Sequence, residues 1–404
     1  MAIDPRIRLL VGGSFVTVAA RMSLVTFLGI YFVREQGIDI GWVGVAFLAE
    51  NLMRGVLAPF FGALSDRTGR RPLLLAGLLA NGTVLPCFLL VEGPASLLAW
   101  SLAMGLAASV QWPAGAALLL DLAPPDKRQV VLATNYAAIC VGYTIGVAPG
   151  GWIAEQGYGW LALTGAAGYF AVAMAYLVFL RGPLPMEYER PVDSVVRRTL
   201  AVGRDRAFLG FAALGIIFPF GMGLYAFVLA LYAHDAGLGE STIGMVLSAN
   251  GLLIAALAVP VATRIEPLGP FRMLGYSGLA LALAYLCFGF VPGIVPALLL
   301  GALLFTAGEL VFSSAVPAAV GRLAPPGRRG AYQGAWSLVQ ALGMGGALWV
   351  SGQLRLSLGW TGTWLVLAGV TFTAALVLFV VRARFLKIVE ARVEPGSLTP
   401  KPSV

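Results

Sequence analysis

Long apolar runs separated by short polar joints fill the chain from end to end. Leu73 to Val91 holds no charged residue, and Met273 to Val320 holds only Glu309. Breaking the chain at charged or Pro/Gly-rich joints gives twelve apolar segments, at about 9–33, 42–64, 72–91, 95–120, 129–154, 160–180, 207–233, 241–262, 271–291, 294–320, 330–355 and 360–382. Each is roughly the ~20 residues that a helix needs to cross hydrocarbon. A membrane-spanning segment must satisfy its own backbone polar groups, and the alternating pattern of barrel strands is missing, so the segments are predicted to be helices. The expected fold class is an all-α membrane protein.

Composition narrows the function. Of 404 residues, 59% are apolar and 11% charged, against about 25% charged in soluble domains. This excludes a soluble enzyme. The net charge of +8 does not imply a nucleic-acid partner, because no soluble domain carries a basic face. Three cysteines and one histidine are too few for a disulfide framework or a zinc cluster. Cys87, Cys140 and Cys287 read as small apolar helix residues, and His234 as a solvated residue near the outer end of the seventh segment. No G-x-x-x-x-G-K-[ST] phosphate loop is present, so no nucleotide drives the protein.

Loop charges predict orientation. With the N-terminus inside, every Lys and Arg is cytoplasmic except Arg34 and Arg355 outside and Arg21 and Arg54 within spans. Both termini are thus expected in the cytoplasm, and the membrane to be the inner (cytoplasmic) membrane of a bacterium.

The chain also repeats itself. Asp121-Leu-Ala-Pro-Pro-Asp-Lys-Arg128 parallels Arg322-Leu-Ala-Pro-Pro-Gly-Arg-Arg329, Gly159-Trp160 parallels Gly359-Trp360, and Gly69 parallels Gly269. A charge-rich linker separates the copies. The predicted organisation is a six-helix half (1–181), a cytoplasmic linker (182–206), a second six-helix half (207–384) and a tail (385–404), an internal duplication expected to act as a monomer.

The loop between the second and third segments reads Gly62-Ala-Leu-Ser-Asp-Arg-Thr-Gly-Arg-Arg-Pro72. It resembles the cytoplasmic signature of the major facilitator superfamily, G-x-L-x-D-R-x-G-R-R-P, at every specified position. The resemblance implies two six-helix halves with substrate bound between them near mid-bilayer. It also implies a cytoplasmic gate built from Gly62, Asp66, Arg67, Gly69, Arg70 and, as the nearest acidic partner, Asp121, which holds the halves together when the carrier faces outward. The glycines permit close approach and a sharp turn, and Asp66 is expected at a helix N-terminus. Gly142-Tyr-Thr-Ile-Gly-Val-Ala-Pro-Gly-Gly151 is similar to the family's antiporter pattern G-x-x-x-G-P-x-x-G-G with the proline displaced; ordinary small-residue helix packing explains its glycines equally well. Where many proton-coupled exporters of the family carry an arginine in the fourth span, this chain has Ser101.

Four ionisable groups lie at membrane depth, where each costs at least ~2.5–3.5 kcal/mol: Arg21, Glu50, Arg54 and Glu309. They are the proton-coupling candidates. Glu309 is alone in its span, and removal from water favours the neutral form of a carboxyl. Glu50 and Arg54 share a helical face and are placed to pair. Arg21 needs a carboxylate across the bundle, either Glu50 or Glu309, or an anionic substrate. The remaining substrate-binding candidates are Gln111, Trp112, Asn135, Tyr136, Tyr143, Phe220, Tyr225, Asn250, Trp336 and Gln340, an apolar set with few polar anchors. The expected function is proton-coupled efflux of amphipathic small molecules, with the proton gradient in place of a cofactor and with lipid, substrate and protons as partners. The alternative is uptake or facilitated flow of a nutrient such as a sugar or organic anion, with Arg21 holding the anion.

Overall fold

The structure is a computed structural model that describes residues 4–124, 128–180, 202–290, 294–325 and 328–393; the side chains of Asp66 and Arg67 are outside the description. Its helices are α1 (Pro5–Ile30, continued by a π turn at Tyr31–Glu35), α2 (Ile40–Thr68), α3 (Arg70–Val84), α4 (Pro94–Leu122), α5 (Arg128–Gln156) and α6 (Tyr158–Phe179). The second half begins with α7 (Arg206–Asp235), which carries a π turn at Leu224–Val228, followed by α8 (Glu240–Ile265), α9 (Pro270–Phe290) and α10 (Ile294–Leu323). The run Arg329–Val393 breaks at Gly359 (φ 68°) into α11 (329–358) and α12 (360–393). Among the described residues ten helical stretches are long and apolar enough to cross a membrane, the last of them (Ala331–Glu390) spanning both α11 and α12, and Glu240–Ile254 of α8 is a shorter apolar stretch. Most of the 182–206 linker and the tail from 394 onward lie outside the described residues.

Helix ends follow local chemistry. The Asp39 carboxylate accepts from the Gly41 N–H (2.8 Å) at the start of α2, and Asp205 does the same for Ala207 (2.9 Å) at the start of α7, so each satisfies an orphan donor. Gly69 (φ 94°) stops α2 and lets α3 begin at once, a backbone conformation that a side chain would strain. The left-handed glycines recur about 200 residues apart: Gly37 with Gly237, Gly69 with Gly269, and Gly157 with Gly359.

Packing has the same twofold character. In the first half α1 packs on α5 and α2 on α4; in the second α7 packs on α11 and α8 on α10. The halves meet through α2 on α11 and α5 on α8. These inter-half contacts concentrate at the end of the bundle away from the start of α1. There Gly345 lets α11 approach the Leu48 backbone, and Gly244 lets α8 approach Val147 and Ala148. Ser248 Oγ donates to the Thr144 carbonyl (2.9 Å), and the Ser241 N–H donates to Glu155 (2.9 Å). Toward the other end Gly62 faces Pro113 of its own half, and Tyr136, Ser337 and Gln340 are exposed. The halves are sealed at one end and part at the other.

Candidate functional site

Glu309 projects from the middle of α10 and is only 7% exposed. Asn250 of α8 donates from Nδ2 to Glu309 Oε2 (3.0 Å) and to Thr306 Oγ1 (2.9 Å), while the Thr306 hydroxyl donates to the Ala302 carbonyl (2.7 Å). Among the described residues no Lys or Arg pairs with this carboxyl. It lines a cavity of about 290 Å³ between the halves, with Tyr136 from α5 and Phe218, Met222, Trp336 and Gln340 from the second half. The hydroxyls of Tyr143 and Tyr225 stand within electrostatic reach of Glu309 and are buried without a hydrogen-bond partner among the described residues. Tyr225 sits in the π turn of α7 and stacks on Phe305 (centroids 4.4 Å apart). A lone carboxyl, one amide and unused phenol hydroxyls on an aromatic wall suit exchange of a proton for a polar or cationic group.

The first half holds the other three membrane-depth charges. Glu50 pairs with Arg21 across α1 and α2, both buried, with the Tyr169 hydroxyl beside the guanidinium. The Glu50–Arg54 pair expected from spacing does not form: Arg54 Nη2 donates to Asn51 Oδ1 (2.7 Å) instead. The reason is supply. Two cations share one carboxylate, and the pair goes to Arg21, while an amide on its own helix already serves Arg54. Arg21 is therefore charge-paired with Glu50, while its Nη1 is buried without a hydrogen-bond partner among the described residues.

The substrate-binding candidates divide between two cavities. Tyr136, Glu309, Trp336 and Gln340 line the inter-half cavity, with Tyr143, Tyr225 and Asn250 around the carboxyl. Gln111, Trp112 and Asn135 line a different one, inside the first half. Phe220 lines neither; Phe218 and Met222, four residues apart on one face of α7, line the inter-half cavity in its place.

At the end where α1 begins, Arg70 pairs with Asp121 and reaches Ser65 Oγ (3.3 Å). The partner is the expected one, but α3 and α4 belong to the same half, so this ion pair does not itself join the halves. Asp66 falls in the last turn of α2, not at a helix N-terminus, because α2 runs on to Thr68 before Gly69 breaks it. The antiporter-like glycines build helix packing: a Cβ on Gly142, Gly146 or Gly150 would strike the α1 backbone at Phe15, Ala19 or Ser23. Ser101 is fully buried. His234 ends α7 with Nδ1 3.4 Å from Glu240 Oε1 and is only partly exposed, so it is not a solvated loop residue.

The sequence reading missed a cluster at the sealed end. The carboxylate of Asp235, on α7, receives Arg34 from the end of α1 (Nε to Oδ1, 2.8 Å), Arg355 from α11 (2.6 Å to Oδ2) and the Trp360 indole N–H from α12 (2.9 Å). Arg355 also lies over the Trp360 ring, 5.1 Å from its centroid. One buried carboxylate thus ties α1 of the first half to three helices of the second. The signal was available: Arg34 and Arg355 are the two basic residues assigned outside, and Arg34 and Asp235 stand about one repeat apart.

Two packed helical bundles around a cavity that holds a buried carboxyl, unpaired by any cation among the described residues, fit a membrane transporter. The family model described as Major Facilitator Superfamily matches residues 10–227 and 211–402, and the chain belongs to that superfamily. It is 26% identical over 351 residues to the uncharacterized MFS-type transporter YqjV of Bacillus subtilis (strain 168), covering 85% of this chain and 84% of that one. It is 25% identical to the multidrug resistance protein MdtH of Escherichia coli (strain SE11), over 82% of each chain. Among solved structures, the nucleoside transporter NupG superposes with a TM-score of 0.76 at 14% identity, over 93% of this chain and 98% of that one. A peptide transporter POT in complex with sulfate gives a TM-score of 0.79 at 16% identity, over 95% of each. These two likenesses establish the fold alone.

Proposed function

We propose that the protein is a proton-coupled antiporter that exports amphipathic small molecules by alternating access, with Glu309 as the group that exchanges a proton for substrate. One observation carries this reading: a buried carboxyl without a cationic partner, held by an amide and facing a cavity between the halves. Such a group is costly in a membrane and is retained for work. The name multidrug resistance protein carried by MdtH supports export of this substrate class. The positive-inside pattern puts the end where α1 begins in the cytoplasm, so the sealed end faces outward and the described state is open to the inside, where substrate loads and the proton leaves. Outside, Glu309 is reprotonated and substrate is released. A proton gradient suffices as drive, since each pH unit across the membrane supplies ~1.4 kcal/mol per proton exchanged. The chain works as a monomer in the bacterial inner membrane without a cofactor.

The test is transport of tetraphenylphosphonium by the purified protein in proteoliposomes under an imposed pH gradient. Gradient-driven transport should disappear in Glu309→Gln while the variant still reconstitutes. Normal transport with an unchanged pH profile would remove Glu309 from the mechanism. The direction of the imposed gradient that drives accumulation separates export by antiport from nutrient uptake.

A further inference from the structure

A second cavity, about 250 Å³, lies wholly inside the first half between α1, α3, α4, α5 and α6. Its walls are mainly aliphatic, with Leu10, Leu74, Leu78 and Ile139, and no charged side chain lines it. Several polar groups at its edge are already used. The Tyr176 hydroxyl donates to the Leu10 carbonyl (3.1 Å) and the Thr17 hydroxyl to the Gly13 carbonyl (2.8 Å).

Two amides are not used up. Asn135 Oδ1, on α5, is buried without a hydrogen-bond partner among the described residues. Gln111, on α4, is more than nine-tenths buried; its Oε1 accepts from Asn81 (2.9 Å), and its amide nitrogen has no bond among the described residues. Buried polar groups are nearly always paired, and leaving one unpaired costs about 1–3 kcal/mol. A molecule offering a donor to Asn135 would recover that cost here, with the Gln111 amide and the Trp112 indole beside it.

We infer that this cavity is a second binding site, separate from Glu309, for an uncharged amphipathic molecule bearing one hydrogen-bonding group on an aromatic or aliphatic body. A charged ligand would find no counter-ion and would carry its full desolvation cost. The inter-half cavity offers a carboxyl; this one offers only amides. The two sites therefore divide ligands by charge, and the inference holds whichever way protons move at Glu309.

The experiment is a fluorescence titration of the full-length protein in nanodiscs with N-phenylnaphthylamine, a neutral aromatic amine with one N–H donor, read above empty nanodiscs. The wild type should show one saturable component. Gly115→Leu fills the cavity, since the nearest neighbour to a Cβ there is Leu74 at 3.4 Å, and should weaken that component at least about tenfold. Asn135→Leu removes an acceptor that has no internal partner and should weaken it several-fold while preserving the thermal unfolding temperature. Glu309→Gln should leave it within about twofold, as for distant sites. The inference fails if the wild type shows no saturable component, if Glu309→Gln abolishes it, or if both Gly115→Leu and Asn135→Leu bind as the wild type does. Should Gly115→Leu not fold, Asn135→Leu decides.

Discussion

A charge in a membrane interior must either be cancelled or be used, and the ionisable residues of this chain divide along that line. Arg21 and Glu50 cancel each other across two helices. Removing one partner leaves the other buried and unpaired, so Glu50→Gln should lower stability by about 3–5 kcal/mol, while replacing both with apolar residues of similar volume should cost much less. Thermal unfolding of the single and double variants in detergent measures the difference. Glu309 has no such canceller among the described residues, which is why it carries the proposed chemistry. The sequence marked these residues as costly but not who pairs with whom. Spacing favours Glu50 with Arg54 because four residues return to one helical face, yet the pairing is settled by which helix lies opposite, and that is not a local property.

At the scale of elements, glycine spacing decides how closely helices approach. Gly142, Gly146 and Gly150 recur every four residues along α5 and meet α1 directly. Gly146→Leu would push a side chain into the Ala19 backbone and should cost about 1–3 kcal/mol by overpacking, with loss of thermal stability as the readout. This stripe was legible in the sequence as small-residue packing, and the structure realises that role; an antiporter role for the pattern is a separate matter. The positions of the spans were legible as well, because hydrocarbon thickness imposes their length. The π turn of α7 was not. Its apolar run gives no sign of that turn at Leu224–Val228, nor of which helix face meets the cavity, where Phe218 and Met222 stand instead of Phe220. Likewise, Gln111 and Asn135 looked like members of one cavity because sequence order does not distinguish the inside of a half from the space between halves.

For the whole molecule, the sealed end matters most. Asp235 draws Arg34, Arg355 and Trp360 together from helices in both halves, so releasing it should favour opening at that end. In a background with the native cysteines replaced, a reporter introduced by Ser241→Cys should react with a membrane-impermeant maleimide about tenfold faster when Asp235→Asn is added, a shift of ~1.4 kcal/mol. Unchanged labelling would make the cluster a packing feature without gating weight. Arg70 and Asp121 occupy the other end within a single half, which leaves the Asp235 cluster as the described ion-pair bridge between the halves.

The central claim is that substrate and proton compete for Glu309 in the inter-half cavity. It is tested most directly by proton release from the purified protein in weakly buffered detergent solution as tetraphenylphosphonium is added. The account predicts that the wild type releases protons in proportion to bound cation, approaching about one per site as expected for one titrating carboxyl, and that Glu309→Gln releases none. Equal release from the two proteins would contradict it.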